Sequence, residues 1–195
     1  MRTAELKRKT AETDIALSIN LDGKGNSNLD SGNAFFDHML TLLAKHGAFD
    51  LDVKCDGDID VDFHHSAEDI GIVLGKCFKE AVGDAKGIHR YGSIILPMDE
   101  VLMLAAIDVS GRPYLACELD IPQPKVGTFD TELCEEFLRA FAMNAGVTLH
   151  ILQISGTNTH HIIEAVFKAL GRAIREAKKI DAEFADMIPS TKGVL

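Results

Sequence analysis

The sequence predicts an α+β fold: two pseudo-repeated halves form a sandwich, with helices packed on one face of mainly antiparallel sheets. Two observations carry that reading. The segment HHSAEDIGIVLGKCFKEA at 64–81 returns as HHIIEAVFKALGRAIREA at 160–177, and His64, His65, Glu68, Leu74, Gly75, Glu80 and Ala81 meet identical residues in the second copy. Such self-similarity marks an internal duplication, with repeats of about 1–90 and 91–195 inside a single domain spanning 1–195. Around each copy, apolar/polar alternation and helical spacing follow one another in a similar order.

The elements follow in turn. Ile15, Leu17, Ile19 and Leu21 alternate with mostly polar neighbours as a strand does, and the turn at 22–26 predicts a hairpin after it. Phe35, Phe36, Met39, Leu40, Leu42 and Leu43 have helical spacing that stops near Gly47. Leu51, Val53 and Cys55, then Ile59, Val61 and Phe63, alternate about Gly57 and predict two strands joined by a turn. The histidine pair then opens a helix to about Val82, and the loop at 87–92 divides the halves. In the second half, strands are predicted over 94–96, 101–109 and 114–119, followed by a Pro/Gly-rich loop at 121–127. A helix over 131–144, a strand over 147–154 and a helix from 159 to about 179 complete it.

Composition narrows the function. With 195 residues, 46% hydrophobic and 26% charged, and a mean hydropathy of +0.05, the chain is globular rather than disordered or fibrous. Thirty acidic against twenty basic residues leave a net charge of −10, which argues against nucleic acid and anionic membranes as partners. A phosphorylated ligand would therefore need a local basic pocket. The longest strongly apolar stretch, 101–107, falls far short of the ~20 residues of a membrane span, and the charged residues 1–14 lack an apolar signal core, so a cytoplasmic chain is expected. Cys55, Cys77, Cys117 and Cys134 are widely spaced, which suggests neither a disulfide framework nor a thiolate metal site.

The paired histidines carry the chemistry. On a helix, residues four apart share a face while adjacent ones point about 100° apart. His64 with Glu68, and His160 with Glu164, can each share a ligand, whereas His65 and His161 must serve another ion. Imidazole and carboxylate without thiolate favour a borderline divalent ion: Mn²⁺, Fe²⁺, Co²⁺ or Zn²⁺. One copy alone reads equally well as a solvated helix start; the duplication argues against that. His38 and Glu136 lie at comparable distances upstream of the two pairs and are placed to supply a missing ligand, though either alone reads as an ordinary helix residue. Asp56, Asp58, Asp60 and Asp62 imitate a calcium loop but have Val61 at its sixth place and Ala67 at its twelfth, so they read as the solvent face of a hairpin.

FFDHML, HHSAEDIGI, GIHRYG, PMDE and NTHHIIEAVFKALGRAI, with RKTAETDI near the start and PSTKG near the end, closely resemble the imidazoleglycerol-phosphate dehydratase family over essentially the whole chain. That resemblance implies dehydration of D-erythro-imidazole-glycerol phosphate to imidazole-acetol phosphate in histidine biosynthesis. The implied route runs through a metal-bound imidazolate and a diazafulvene-like intermediate. It implies two Mn²⁺ per active site, with sites built between subunits of a twenty-four-subunit homo-oligomer. One ion would take His38, His65, His160 and Glu164, the other His64, Glu68, Glu136 and His161. Exchanging the halves turns the first set into the second. Many relatives carry His where this chain has Glu136; a carboxylate suits the ion, and Glu135 is the rival ligand.

The resemblance also makes Glu12 the first candidate for proton transfer, with Glu68 and Glu164 as further proton carriers. Glu12, His89, Arg90, Arg112, Ser190, Thr191 and Lys192 match substrate-binding positions, and guanidinium and ammonium groups suit a phosphate dianion. Asp99 and Glu100 match the family's MDE and fit either a place near the site or a strand turn. Two other classes compete: a metallohydrolase of phosphate esters, and a protein whose metals only cement an oligomer.

Overall fold

The computed structural model describes residues 1–195. The first half runs β1 (Thr3–Lys9), β2 (Thr13–Asn20), β3 (Ser27–Asp30), α1 (Ala34–Gly47), β4 (Asp50–Gly57) and α2 (His64–Val82). The second opens with β5 (Tyr91–Met98), β6 (Val101–Asp108) and β7 (Tyr114–Glu118). A small hairpin, β8 (Lys125–Val126) and β9 (Phe129–Asp130), precedes α3 (Leu133–Ala145), β10 (Thr148–Ser155) and α4 (Thr159–Ala177). The sheets have matching orders, β1-β2-β4-β3 and β5-β6-β10-β7. In each, the strand before the long helix pairs antiparallel with the second strand and parallel with the third. The chain thus follows one path twice, as the duplicated segment predicts.

Local signals set the helix ends. The Asn33 side chain accepts from the backbone N–H groups of Phe35 and Phe36, both at 3.1 Å, and so starts α1. Asn158 does the same for α4 by accepting from His161 N at 3.2 Å. The helices then cross between halves: α1 lies against α4 and α2 against α3. Each crossing passes over a glycine from the duplicated segment. A Cβ on Gly75 would sit 2.7 Å from the Phe141 carbonyl, and one on Gly171 would sit 2.7 Å from that of Leu43. Phe36, Phe137 and Phe167, from α1, α3 and α4, pack with ring centroids 5.3–6.2 Å apart. Buried apolar residues of both halves therefore form one connected core.

Three expectations need correction. The turn at 22–26 does not close a hairpin: β3 pairs with β4, because β1 and β4 already occupy both edges of β2. Residues 58–63 form a turn instead of a strand, and with no strand beside them Ile59 and Val61 stand 47% and 70% exposed. Asp58, Asp60 and Asp62 consequently lie in that turn, and only Asp56 belongs to a strand. Strand β1 adds an element the sequence pattern does not predict, because its exposed face carries Glu5, Lys7 and Lys9 and leaves little apolar alternation.

The outer faces of the sheets differ. The first presents Glu5, Lys7, Lys9, Asp14, Asp52 and Lys54; the second presents Ile95, Pro97, Leu102, Leu104 and Leu152. No helix is long and apolar enough to cross a membrane.

Two substitutions test this packing. Gly171→Ala gains about 1 kcal/mol of helix propensity but forces a methyl onto the α1 backbone at a cost of about 1–3 kcal/mol. A net loss of stability in urea unfolding is expected, and an increase would refute the close crossing. Lys178, 7% exposed after α4, donates to the carbonyls of Leu21 and Ala48. Burial pulls its amine from 10.5 down to about 8. Between those values the unfolded chain binds the proton and the folded chain does not, so folding is favoured as pH rises. Relative to Lys178→Met, the protein should gain stability from about pH 8 to 10.5, by at most ~3 kcal/mol. A difference that stays level across that range would contradict the burial.

Candidate metal centre and phosphate cleft

The α1–α4 crossing brings together residues 122 positions apart in the chain, His38 and His160. Ligand atoms of His38, His160 and Glu164 all lie within 4.8 Å of one another, the one group of its kind in the chain. His160 Nε2 is 3.1 Å from Glu164 Oε2, the four-residue spacing having put both on one face of α4. Lys168, one turn further on, donates to the other Glu164 oxygen at 2.6 Å. Burial alone would raise the Glu164 pKa, but the Lys168 hydrogen bond and charge, with His160, outweigh it and hold the carboxyl below its ordinary value. Donors about 2.1 Å from a common ion lie roughly 3–4 Å apart, so two imidazoles and an ionised carboxylate at this spacing fit a divalent cation. Three donors leave its coordination incomplete.

The expected fourth ligand, His65, is elsewhere. Its Nδ1 lies 3.0 Å from Asp58 Oδ2, and its Nε2 lies 3.7 Å from Glu12 at the β1–β2 turn. His161 repeats this with other residues: Nδ1 is 2.9 Å from Glu100 Oε2, and Nε2 is 3.8 Å from Asp99, both at the β5–β6 turn. The Asp58 and Glu100 hydrogen bonds raise the pKa of these imidazoles, while His161 and backbone N–H groups draw Glu100 down to about 2. The second expected set does not assemble within one chain. His64, Glu68 and Glu136 are half-buried on the packed pair α2 and α3 but form no close donor group, and His161 stands apart with Glu100. Of the rival carboxylates, Glu135 is tied to Arg139, which leaves Glu136 the freer donor.

Substrate-binding candidates converge in a second place. Arg90, Arg112, Ser190, Thr191 and Lys192 line one cleft of about 670 Å³, with Lys79 and Ser110. Arg90 is anchored: Asp108 accepts from it at 2.7 and 3.2 Å, and the Pro189 carbonyl accepts at 2.8 Å. Arg112 is 64% exposed and touches Asp108 only at 3.4 Å. His89 is not in the cleft; it pairs with Glu176 at 2.8 Å. Sequence reasoning missed Asp58, Lys168, Lys79 and Asp108. Lys168 had a readable signal, its four-residue spacing from Glu164; the others are joined to the site only by tertiary contacts.

The cleft and the metal group occupy opposite ends of the molecule. Lys79 is fifteen residues beyond His64 on α2, about 22 Å along the axis. Arg90 N donates to the carbonyl of Ala177, the last residue of α4, about 26 Å from His160 by the same rise.

A profile of the imidazoleglycerol-phosphate dehydratase family matches residues 31–174. The imidazoleglycerol-phosphate dehydratase of Thermoanaerobacter pseudethanolicus is 57% identical over 195 residues, covering all of both chains. That of Acetivibrio thermocellus is 57% identical over 194 residues, covering 100% of this chain and 99% of the relative. The crystal structure of the Staphylococcus aureus enzyme superposes with a TM-score of 0.84 at 43% identity, covering 92% of this chain and 99% of the other. That of the Pyrococcus furiosus enzyme in complex with (S)-C348 gives 0.83 at 37% identity, covering 97% and 100%. The chain therefore belongs to the imidazoleglycerol-phosphate dehydratase family, hydro-lyases that dehydrate imidazoleglycerol phosphate in histidine biosynthesis.

Proposed function

We propose that the chain performs this dehydration as a manganese-dependent homo-oligomer whose active sites are shared between copies. The observation that carries the reading is the convergence of His38, His160 and Glu164 on one point, while the matching His65 is held elsewhere. A second copy presenting its His65 would complete the set. The half-exchanged set His64, Glu68 and Glu136 would likewise take His161 from another copy. Bound divalent ions would supply positive charge that favours the substrate's imidazole ring as its anion.

The protein's own residues do the rest. A three-carbon chain between ring and phosphate spans less than about 10 Å, so a substrate whose ring lies at the metal group cannot reach the cleft of the same chain, over 20 Å away by helix length. Arg112, Lys192 and the Ser190 hydroxyl of another copy would hold the phosphate, with Arg90 kept in place by Asp108. Glu12, 53% exposed and 3.7 Å from His65 Nε2, would exchange protons with the substrate carbon or its leaving hydroxyl. Glu164 is committed to His160 and Lys168, which favours ligation over proton transfer; Glu68 stays available for either role.

Assembly has its own support. The apolar outer face of the second sheet is the kind of surface that association covers, and the resemblance extends this to a twenty-four-subunit shell in the cytoplasm.

Complementation tests the shared site. His65→Ala and His160→Ala chains should each be inactive with Mn²⁺, yet random co-assembly after mixing should rebuild about a quarter of the sites, each with a whole donor group from one chain and His65 from the other. Failure of mixed, co-assembled chains to regain turnover would overturn the sharing. Arg112→Ala should raise KM for the phosphorylated substrate about 10–100-fold, the loss of one to two strong charge-assisted hydrogen bonds. Manganese content should stay unchanged, and an unaltered KM would remove Arg112 from the phosphate site.

A further inference from the structure

His65 and His161 are half-exchange partners, and each imidazole stands between two carboxylates. Glu12 and Asp99 face the Nε2 atoms at 3.7 and 3.8 Å from equivalent turns, β1–β2 and β5–β6. That resemblance is inherited from the duplication. The closer contacts are not. Asp58 holds His65 Nδ1 from the turn before α2, whereas the residue at the corresponding place of the second copy is Ile154. Glu100 holds His161 Nδ1 from the position directly before β6, and its counterpart directly before β2 is Glu12, which faces the other nitrogen of His65. Two halves have reached one contact, carboxylate on Nδ1, from unrelated positions.

That contact has a chemical consequence. A carboxylate accepts only, so a neutral imidazole beside it must carry its proton on Nδ1, leaving the Nε2 lone pair bare. Nε2 is also the atom turned away from the anchoring carboxylate, and it meets Glu12 or Asp99 only beyond hydrogen-bond distance, at 3.7 and 3.8 Å. We propose that Asp58 and Glu100 are positioning residues that hold His65 and His161 in the Nδ1–H tautomer, with Nε2 presented for an ion completed by another copy. This rests on the reading of His65 and His161 as shared metal ligands. A ligand delivered across an interface gains most from such fixing, because no neighbour within its own chain holds the ring to the ion.

Mn²⁺ affinity of the full-length oligomer, followed by the loss of the free-ion electron-spin-resonance signal, tests the proposal alongside the ring ¹⁵N resonances of the metal-free chain at a pH where the rings are neutral. Asp58→Ala should weaken Mn²⁺ binding about 10–100-fold and move the His65 proton to Nε2. Asp58→Asn, whose amide oxygen still accepts from Nδ1–H, should retain most of the affinity and the tautomer. Glu100→Ala and Glu100→Gln should repeat the pattern at His161. Because Glu100 also accepts from the N–H groups of Thr157 and Asn158, its alanine variant also frees the segment leading into α4, and the Asp58 pair remains decisive where that variant fails to fold. His65→Ala separates the two layers. Unchanged Mn²⁺ affinity in that variant would sink the shared-ligand reading itself. Loss of affinity there, with Asp58→Ala binding normally or keeping its proton on Nδ1, would overturn the positioning role alone.

Discussion

Everything at the metal group depends on two helices from different halves approaching at backbone distance. Ordinary side chains hold helices 8–10 Å apart. At Gly171 the Leu43 carbonyl takes the space a Cβ would need, and α1 is thereby drawn onto α4 far enough for His38 to share a point with His160 and Glu164. Gly75 plays the same part under α3. A glycine in mid-helix costs about 1 kcal/mol against alanine, and here that cost is met by the phenylalanine cluster closing over the crossing. The duplicated segment therefore combines two features in one stretch: the paired histidines on its first turn and, further along, the glycine that lets the opposite half approach.

The length of those helices imposes a second constraint. The two that carry the duplicated segment each begin at a histidine pair and end near the basic cleft, so the chain separates its His/Glu donor group from its basic cleft by the length of a helix. This also suits a chain of net charge −10: the carboxylates that an ion would need gather at one end, while Arg112 and Lys192 gather where little acid competes except Asp108, itself engaged by Arg90. For a substrate shorter than either helix, the separation becomes an argument for assembly that needs no oligomeric contact to be seen.

Legibility in the sequence followed the same physics. Helices with a wide buried face, such as 34–47 and 159–177, were readable because tertiary packing and local spacing agree there. Strand β1 and the turn at 58–63 depart from the sequence pattern in opposite directions. An edge strand with a charged outer face hides its alternation, while Ile59, Val61 and Phe63 alternate with no neighbouring strand to use the pattern. At the site, residues on one helix face could be paired by arithmetic, and Lys168 by the same arithmetic extended one turn. Asp58 beside His65, Asp108 beneath Arg90, and the distance between metal group and cleft depend on how elements pack, which no spacing along the chain encodes.

Duplication accounts for what the halves share; divergence accounts for what each does alone. The first sheet turns charged residues outward and the second turns out Ile95, Leu104 and Leu152, which the strand register places side by side across β5, β6 and β10. Such a row costs nothing to keep only if something covers it, since exposed apolar surface of that extent otherwise promotes disordered association. The charged face needs no cover. A duplicated protein that had remained symmetrical would present two alike faces; the difference between them gives the molecule a direction, one side charged and one apolar. The donor groups diverge alongside: His38 is the third member of a close triad across the α1–α4 crossing, while Glu136 at the matching place, beside an arginine-bound Glu135, forms no such group with His64 and Glu68. Near-equivalent in plan, the two expected donor sets differ by one carboxylate in place of an imidazole.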